Sequence, residues 1–315
     1  MTSKKSMPQW AWFAIAAAAV LLAAPNGVIV KVAMEEIPAV WVNVFRFALI
    51  ALVMLPVIIR SIKVMTRQNM KYALLAGVMS AVAVTGYMHA IDLSQASYVA
   101  VINLGIPILL MLYSVYLTKE RVSKRAMLGI SIAALGAFIM IGTPLLVGQG
   151  FEQGFYPLAT VLALINCATF PLTIIFSRKA NEAGLPITAT YGISASMVAT
   201  VSVIAALIMG VSLPAEAIQS NPLILLPIAY SALAVSFLAR VLTVAAYQRL
   251  GSVAVSGFQY IESFLSILLP IILIGELMTT EMLVGGVMIL IGVIVAEMRF
   301  HPKLHADRQA GHIHS

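Results

Sequence analysis

Two ionisable side chains sit deep inside apolar runs of this 315-residue chain: Arg46, in Trp41-Val-Asn-Val-Phe-Arg-Phe-Ala-Leu49, and Glu262, in Phe258-Gln-Tyr-Ile-Glu-Ser-Phe264. A charge in such surroundings is costly unless it meets water or a partner. Arg46 reads as a cation that receives an anionic substrate group, or as an architectural charge that snorkels or pairs with a carboxylate. Glu262 reads as a carboxyl that meets a proton or a substrate amine, or as a structural carboxyl bonded to a neighbouring helix. Arg240 lies close enough to one end of its run to snorkel.

Amides add a second kind of chemistry. Ala96, Ala100, Asn103 and Pro107 recur at steps of 3 and 4, which places them on one face of a helix. Ser252, Ser256, Gln259 and Ser263 repeat that stripe 156 positions later, and the register continues from Lys119-Glu120 to Gly275-Glu276, from Gly129 to Gly285 and from Gly136 to Gly292. Unbroken register over so many positions argues for a duplicated unit. A small or polar stripe on an otherwise apolar rod wants a cavity or a close neighbour.

Thr85, His89 and Asp92 follow at i, i+4 and i+7 with Tyr87 beside them. His89 is suited to titrate or bind substrate, or to be solvated near a surface. Tyr98, Tyr191, Tyr230 and Tyr260 could form an aromatic wall or serve as packing. Pro25-Asn26-Gly27 and Asn166 through Pro171 interrupt equivalent runs in the two halves. Paired interruptions free backbone groups and point toward a binding region, unless neighbouring helices satisfy them. Gly129 with Gly136, and Gly285 with Gly292, suit close helix packing.

Several chemistries are excluded. The chain has no phosphate-binding Gly-x-x-x-x-Gly-Lys, no His-Glu-x-x-His and no Gly-x-Ser-x-Gly, so no catalytic residue, metal site or cofactor is expected. The histidines at 301, 305, 312 and 314 read as a solvated tail. Cys167, the single cysteine, excludes an internal disulfide and reads as an inert core thiol.

The elements that must position these groups are membrane helices. Hydrophobic residues make up 61% and charged residues 10% of the chain, against about 25% charged in soluble proteins. Ten runs are long enough to cross about 30 Å of hydrocarbon, at 11–30, 39–59, 71–91, 96–117, 124–142, 156–177, 187–210, 222–246, 252–274 and 281–299. The first reads as an uncleaved span. The net charge of +7 is dispersed between runs, which speaks for membrane orientation and against nucleic acid. Of nineteen Lys and Arg, sixteen fall on one side, with Lys31 alone on the other and Arg46 and Arg240 inside spans. Both termini are therefore expected in the cytoplasm. Five spans per unit is odd, so the second copy enters the membrane from the opposite side. The expected fold is an all-α membrane protein of ten transmembrane helices in two inverted five-helix repeats, at 11–142 and 156–299. They are joined by an external connection at 143–155 and flanked by cytoplasmic ends at 1–10 and 300–315.

Four segments resemble the drug/metabolite transporter superfamily, in its ten-helix EamA-type branch. They are Pro25 to Lys31; Val44-Phe-Arg-Phe47; Ala96-Ser-Tyr-Val-Ala100 leading to Pro107 and Lys119-Glu-Arg121; and Gly251-Ser-Val-Ala254 leading to Glu262, Gly275-Glu276 and Gly285. Ser263 departs from the proline common in relatives, and the glutamate that small multidrug relatives carry in their first helix has no counterpart between Trp10 and Val30. The resemblance implies export of small metabolites across a bacterial inner membrane, amino acids foremost and aromatic ones in one subgroup. The alternatives are a proton-coupled exporter of cationic drugs, and a membrane enzyme or scaffold without cargo. The residues expected to bind substrate are Asn26, Arg46, Tyr87, His89, Tyr98, Asn103, Asn166, Gln259, Tyr260 and Glu262. The expected partners are a small-molecule substrate, the lipid bilayer and, in the alternative, a proton. The substrate itself, the driving force and the oligomer are not fixed by sequence.

Overall fold

The computed structural model describes residues 8–118, 124–148, 155–250 and 252–297, and every regular element among them is helical. Lys119-Glu120 and the histidines after residue 300 lie outside the described residues, as do the side chains of Ser252 and Ser256. Eight helices are long and apolar enough to cross a membrane, and the apolar stretches Phe258–Ile274 and Thr280–Ala296 are shorter, for about ten in all.

Two helices, the first and the fourth in chain order, break beside a proline. α1 runs over Gln9–Ala23 and resumes as Asn26–Met34, because Pro25 offers no N–H to the Leu21 carbonyl. α2 is Ala39–Ser61 and α3 is Arg67–Asp92, which opens on a capping box between Thr66 and Asn69. α4 is Ala96–Asn103 resuming as Ile106–Thr118; Pro107 cannot donate to the Asn103 carbonyl, so the helix yields at Leu104-Gly105. α5 is Lys124–Ala137, extended through a π turn at Phe138–Gly142 to Thr143–Leu146, past the expected end of that span.

α6 is Pro157–Glu182 and α7 is Ile187–Ile208. α8 begins as Leu225–Tyr230, widens to a π-helical stretch over Ser231–Ala239 and closes as Arg240–Leu250. α9 is Ser252–Ile274 and α10 is Thr280–Glu297. The expected pairing of interruptions in α1 and α6 is therefore corrected. α6 passes through Pro171 unbroken, held between Gly86 of α3, whose Cβ position lies 2.8 Å from the Leu162 carbonyl, and Gly105 of α4 beside Cys167. The second break is in α4.

The helices pack as α1 on α8, α2 on α7, α3 on α6, α4 on α9 and α5 on α10. In the α5–α10 seam Gly129 meets Gly292 and Gly136 meets Gly285, so the two helices run antiparallel with backbone against backbone. A Cβ at Gly136 would lie 2.6 Å from the Gly285 carbonyl oxygen, and one at Gly285 equally close to that of Gly136. Large apolar side chains such as Leu207, Ile208 and Leu226 stay exposed on the outer surface, as a lipid-facing protein requires.

Side-chain contacts fix the two ends of the bundle. On one, Asn69 Nδ2 donates to the Ala183 carbonyl, Lys179 lies over the Tyr72 ring and Arg249 over Trp12. On the other, Trp41 Nε1 donates to the Val211 carbonyl and Lys31 Nζ to the carbonyls of Ile91, Asp92 and Ser94. The first, rich in Lys and Arg, is called here the basic face.

Candidate functional site

A chain of polar contacts crosses the interior where α1 is broken. Asn26 opens the second piece of α1, and Ser231 Oγ of α8 donates to its Oδ1 at 2.6 Å. The Tyr87 hydroxyl of α3 faces the same amide. The break itself is closed by the same neighbourhood, since the Tyr230 hydroxyl donates to the Leu22 carbonyl and Ser266 Oγ of α9 to that of Ala24. A proline break in a membrane helix needs partners of this kind for its freed carbonyls.

Arg46 extends the chain. Its guanidinium donates from Nη2 to Ser236 Oγ at 2.8 Å, Ser236 Oγ donates in turn to the Ser231 carbonyl, and the Tyr191 hydroxyl of α7 donates to the Ser236 carbonyl. The ionisable groups that Arg46 faces are Tyr191 and Tyr87, with no carboxylate among them. Arg46 is buried, and its Nε and both amide atoms of Asn43, three residues earlier on α2, make no hydrogen bond among the described residues. Arg240, exposed, lies with its guanidinium carbon 5.0 Å from the centre of the Tyr191 ring.

The π-helical stretch explains how α8 supplies both serines. A step of five residues turns about 140° in an α-helix, so Ser231 and Ser236 would face different ways. Hydrogen bonding from i to i+5 brings them onto one side, and the Ser236 Oγ to Ser231 carbonyl bond spans that step. Neither serine was expected at a site from the sequence, and the α-helical period hides their spacing.

A second polar contact lies at the break in α4. Asn166 Nδ2 of α6 donates to Asn103 Oδ1 at 2.8 Å, and Cys167 Sγ approaches the Ile102 carbonyl at 3.7 Å. The structure thus brings Asn26 together with Tyr87, sets Tyr87 facing Arg46, and pairs Asn103 with Asn166. The other expected residues stand apart. His89 Nδ1 bonds the Thr85 carbonyl of its own helix. Tyr98 is fully buried, its hydroxyl on Thr160 Oγ1, which donates to the Tyr156 carbonyl; its ring packs edge-on to Tyr156. Those contacts make it part of the α4–α6 core.

On α9, Gln259 is exposed, Tyr260 packs against the main core, and Glu262 is half-buried without a hydrogen bond or ion pair among the described residues. Glu262 shares the α9 face of Phe258, whose ring packs tilted against Phe13, and Ser266, which bonds Ala24; that face looks toward α1.

Glu276, just beyond α9, was expected only as the echo of Glu120. Its carboxylate receives the N–H of Ala96 at 2.7 Å, the N–H of Ser97 at 2.8 Å and the Ser97 hydroxyl at 2.5 Å, capping the N-terminus of α4 from the other half of the chain. An apolar groove of about 620 Å³ between α1 and α8 is lined by residues such as Val32 and Leu226, which face outward, so it belongs to the lipid side.

The comparisons with known proteins agree with this geometry. No curated protein matches the sequence. Fifteen solved chains do match; one crystal structure is similar over 92% of this chain and 98% of its own, at 18% identity with a TM-score of 0.59, a likeness that shows the fold alone. Residues 10–142, the first of the two expected repeats, match the EamA-like transporter family.

Proposed function

We propose that the chain exports amino acids or similar small metabolites across a bacterial inner membrane, by alternating access between two inverted five-helix units at 11–142 and 156–299. The observation that carries the reading is the buried polar chain from Tyr87 and Asn26 through Ser231 and Ser236 to Arg46, which joins the two units inside the bilayer. Water-filled or ligand-bearing interiors are where membrane proteins keep such groups. The antiparallel glycine seam supports the inverted relation: a two-fold axis in the membrane plane carries Gly129 onto Gly285 and Gly292 onto Gly136, so each contact maps onto the other. Inverted units offer two near-equivalent packings, each open to one side. Both termini lie in the cytoplasm on this reading, with the basic face inward.

Proteoliposomes containing only this protein, loaded with labelled amino acids and followed with and without a pH gradient, test the proposal. Counterflow of at least one amino acid above empty liposomes supports it, and no flux across the panel removes it.

A proton-coupled exporter of cations is the second reading. Glu262 favours it, as the one carboxylate set well inside a span and without a partner among the described residues. Resistance to quaternary ammonium compounds that disappears in Glu262→Gln would select this reading over the first.

A further inference from the structure

Arg46, deep in its span, and Arg240, nearer the end of its own, both lie against Tyr191: Arg240 over its ring, Arg46 through Ser236, whose carbonyl takes the Tyr191 hydroxyl. The sequence leaves them no carboxylate nearby. α2, α7 and α8 contain no Asp or Glu, α3 contains only Asp92 at its far end, and the remaining intramembrane carboxylate, Glu262, makes no ion pair with either arginine. Among the described residues the single ion pair is Arg178 with Glu182, on the basic face.

Arg46 is spent only in part by the protein. Nη2 holds Ser236, while Nε and the Asn43 amide three residues away on α2 are buried with no acceptor or donor. A guanidinium fork binds a planar two-oxygen anion better than it binds a hydroxyl. Arg240, exposed and lying over the Tyr191 ring, adds a second positive charge, and the phenols of Tyr87 and Tyr191 face Arg46.

The geometry points to Arg46 as the seat of the substrate's carboxylate, with Arg240 drawing the anion in, so that the cargo class is small carboxylates, amino acids among them, and not amines or amides. This rests on the transport reading and deepens it. The α-amide of an amino acid keeps size, ring and amine while removing the anion, so it isolates the group in question.

The experiment is ligand-induced thermal stabilisation of the detergent-purified full chain, with each of the twenty amino acids against its own α-amide. The expected result is that at least one amino acid stabilises, its amide needs at least tenfold more for the same shift, Arg46→Gln abolishes the difference, and Arg240→Gln weakens the acid severalfold while leaving the amide unchanged. An amide as effective as its acid overturns the inference, as does the absence of stabilisation by any of the twenty acids. The wild-type comparison of acid with amide needs no variant, so an Arg46→Gln protein that fails to fold does not shield the inference, and Arg240→Gln changes an exposed residue. Binding of an acid that the proteoliposomes do not move would overturn the transport reading while leaving the seat standing.

Discussion

Replacing Glu276 by Gln should loosen the seam at the face opposite the basic one. The carboxylate accepts three hydrogen bonds from the first turn of α4, at 2.7, 2.8 and 2.5 Å. A hydrogen bond to a charged group contributes about 1.5–3 kcal/mol, and a negative charge at a helix N-terminus adds about 0.3–1 kcal/mol. Glutamine keeps one acceptor oxygen, loses the charge and turns an NH2 group toward backbone donors. Glu276 is half-exposed, so solvent screens part of the loss. A net weakening of about 1–2 kcal/mol is expected, which shifts an equilibrium by a factor of about 5–30. The state open at this face gains by that factor, because the broken contact ties the start of α4 to the end of α9. Spin labels at Leu93 and Leu273, both exposed, report the separation of the two halves there, and Cys167, buried at 3% exposure, stays out of the labelling. The Glu276→Gln protein should populate longer distances than its parent, and Glu276→Asp should fall between them. Superimposable distance distributions for all three would refute the claim that this carboxylate holds the face shut.

Other substitutions probe the remaining contacts. Gly285→Ala sets a methyl 2.6 Å from the Gly136 carbonyl oxygen and 2.8 Å from Met140 Cβ, backbone and near-backbone atoms that cannot swing away; a loss of about 1–3 kcal/mol should appear as a lower melting temperature in detergent. Tyr98→Phe removes one hydroxyl while Thr160 keeps its bond to the Tyr156 carbonyl. Stability should fall by about 1 kcal/mol with transport rates intact, and a lost rate would return Tyr98 to the pathway. Asn103→Ala leaves the Asn166 amide without its partner at the α4 break. Transport should fall while size-exclusion profiles stay unchanged, and wild-type flux would separate that break from the transport cycle.

The long-range architecture was legible because a bilayer allows few solutions. Apolar runs of spanning length gave the helices, and the alternation of basic connections matches the ends that Asn69, Lys179 and Arg249 now mark. Gly129, Gly136, Gly285 and Gly292 were legible as packing residues because the lack of a side chain has one common use between membrane helices. The polar interior was legible only in part. Arg46 and Asn26 announced themselves by type, whereas Ser231 and Ser236 did not, since a π-helical stretch changes which residues share a face and no local residue type marks one. The contact of Tyr98 was hidden for a related reason: an aromatic with a hydroxyl suits a substrate wall as well as it suits Thr160, and only the position of α6 brings the two together. Pro107 and Pro171 look alike in sequence, yet one breaks its helix and the other does not, because α6 is clamped by glycine contacts on two sides.

The placement of the glycines constrains where the molecule can move. α5 and α10 meet backbone to backbone, and an ångström of separation would forfeit much of a contact that consists of dispersion between close-fitting surfaces. That seam should act as a pivot and not as a gate. α4 and α9 are joined differently: besides their packing, one carboxylate, Glu276, caps the start of α4, a contact that can be made and broken as a unit. The breaks beside Pro25 and Pro107 sit next to the polar chain and the Asn103–Asn166 pair, so bending at either proline would move these polar groups without disturbing the α5–α10 seam. Cross-linking tests this division of labour. A tether across α5 and α10, from cysteines at Ala133 and Ile289, should leave counterflow intact, and a tether between Ser97 and Glu276 should stop it. If the first tether stops transport and the second does not, the pivot and the gate have been assigned the wrong way round.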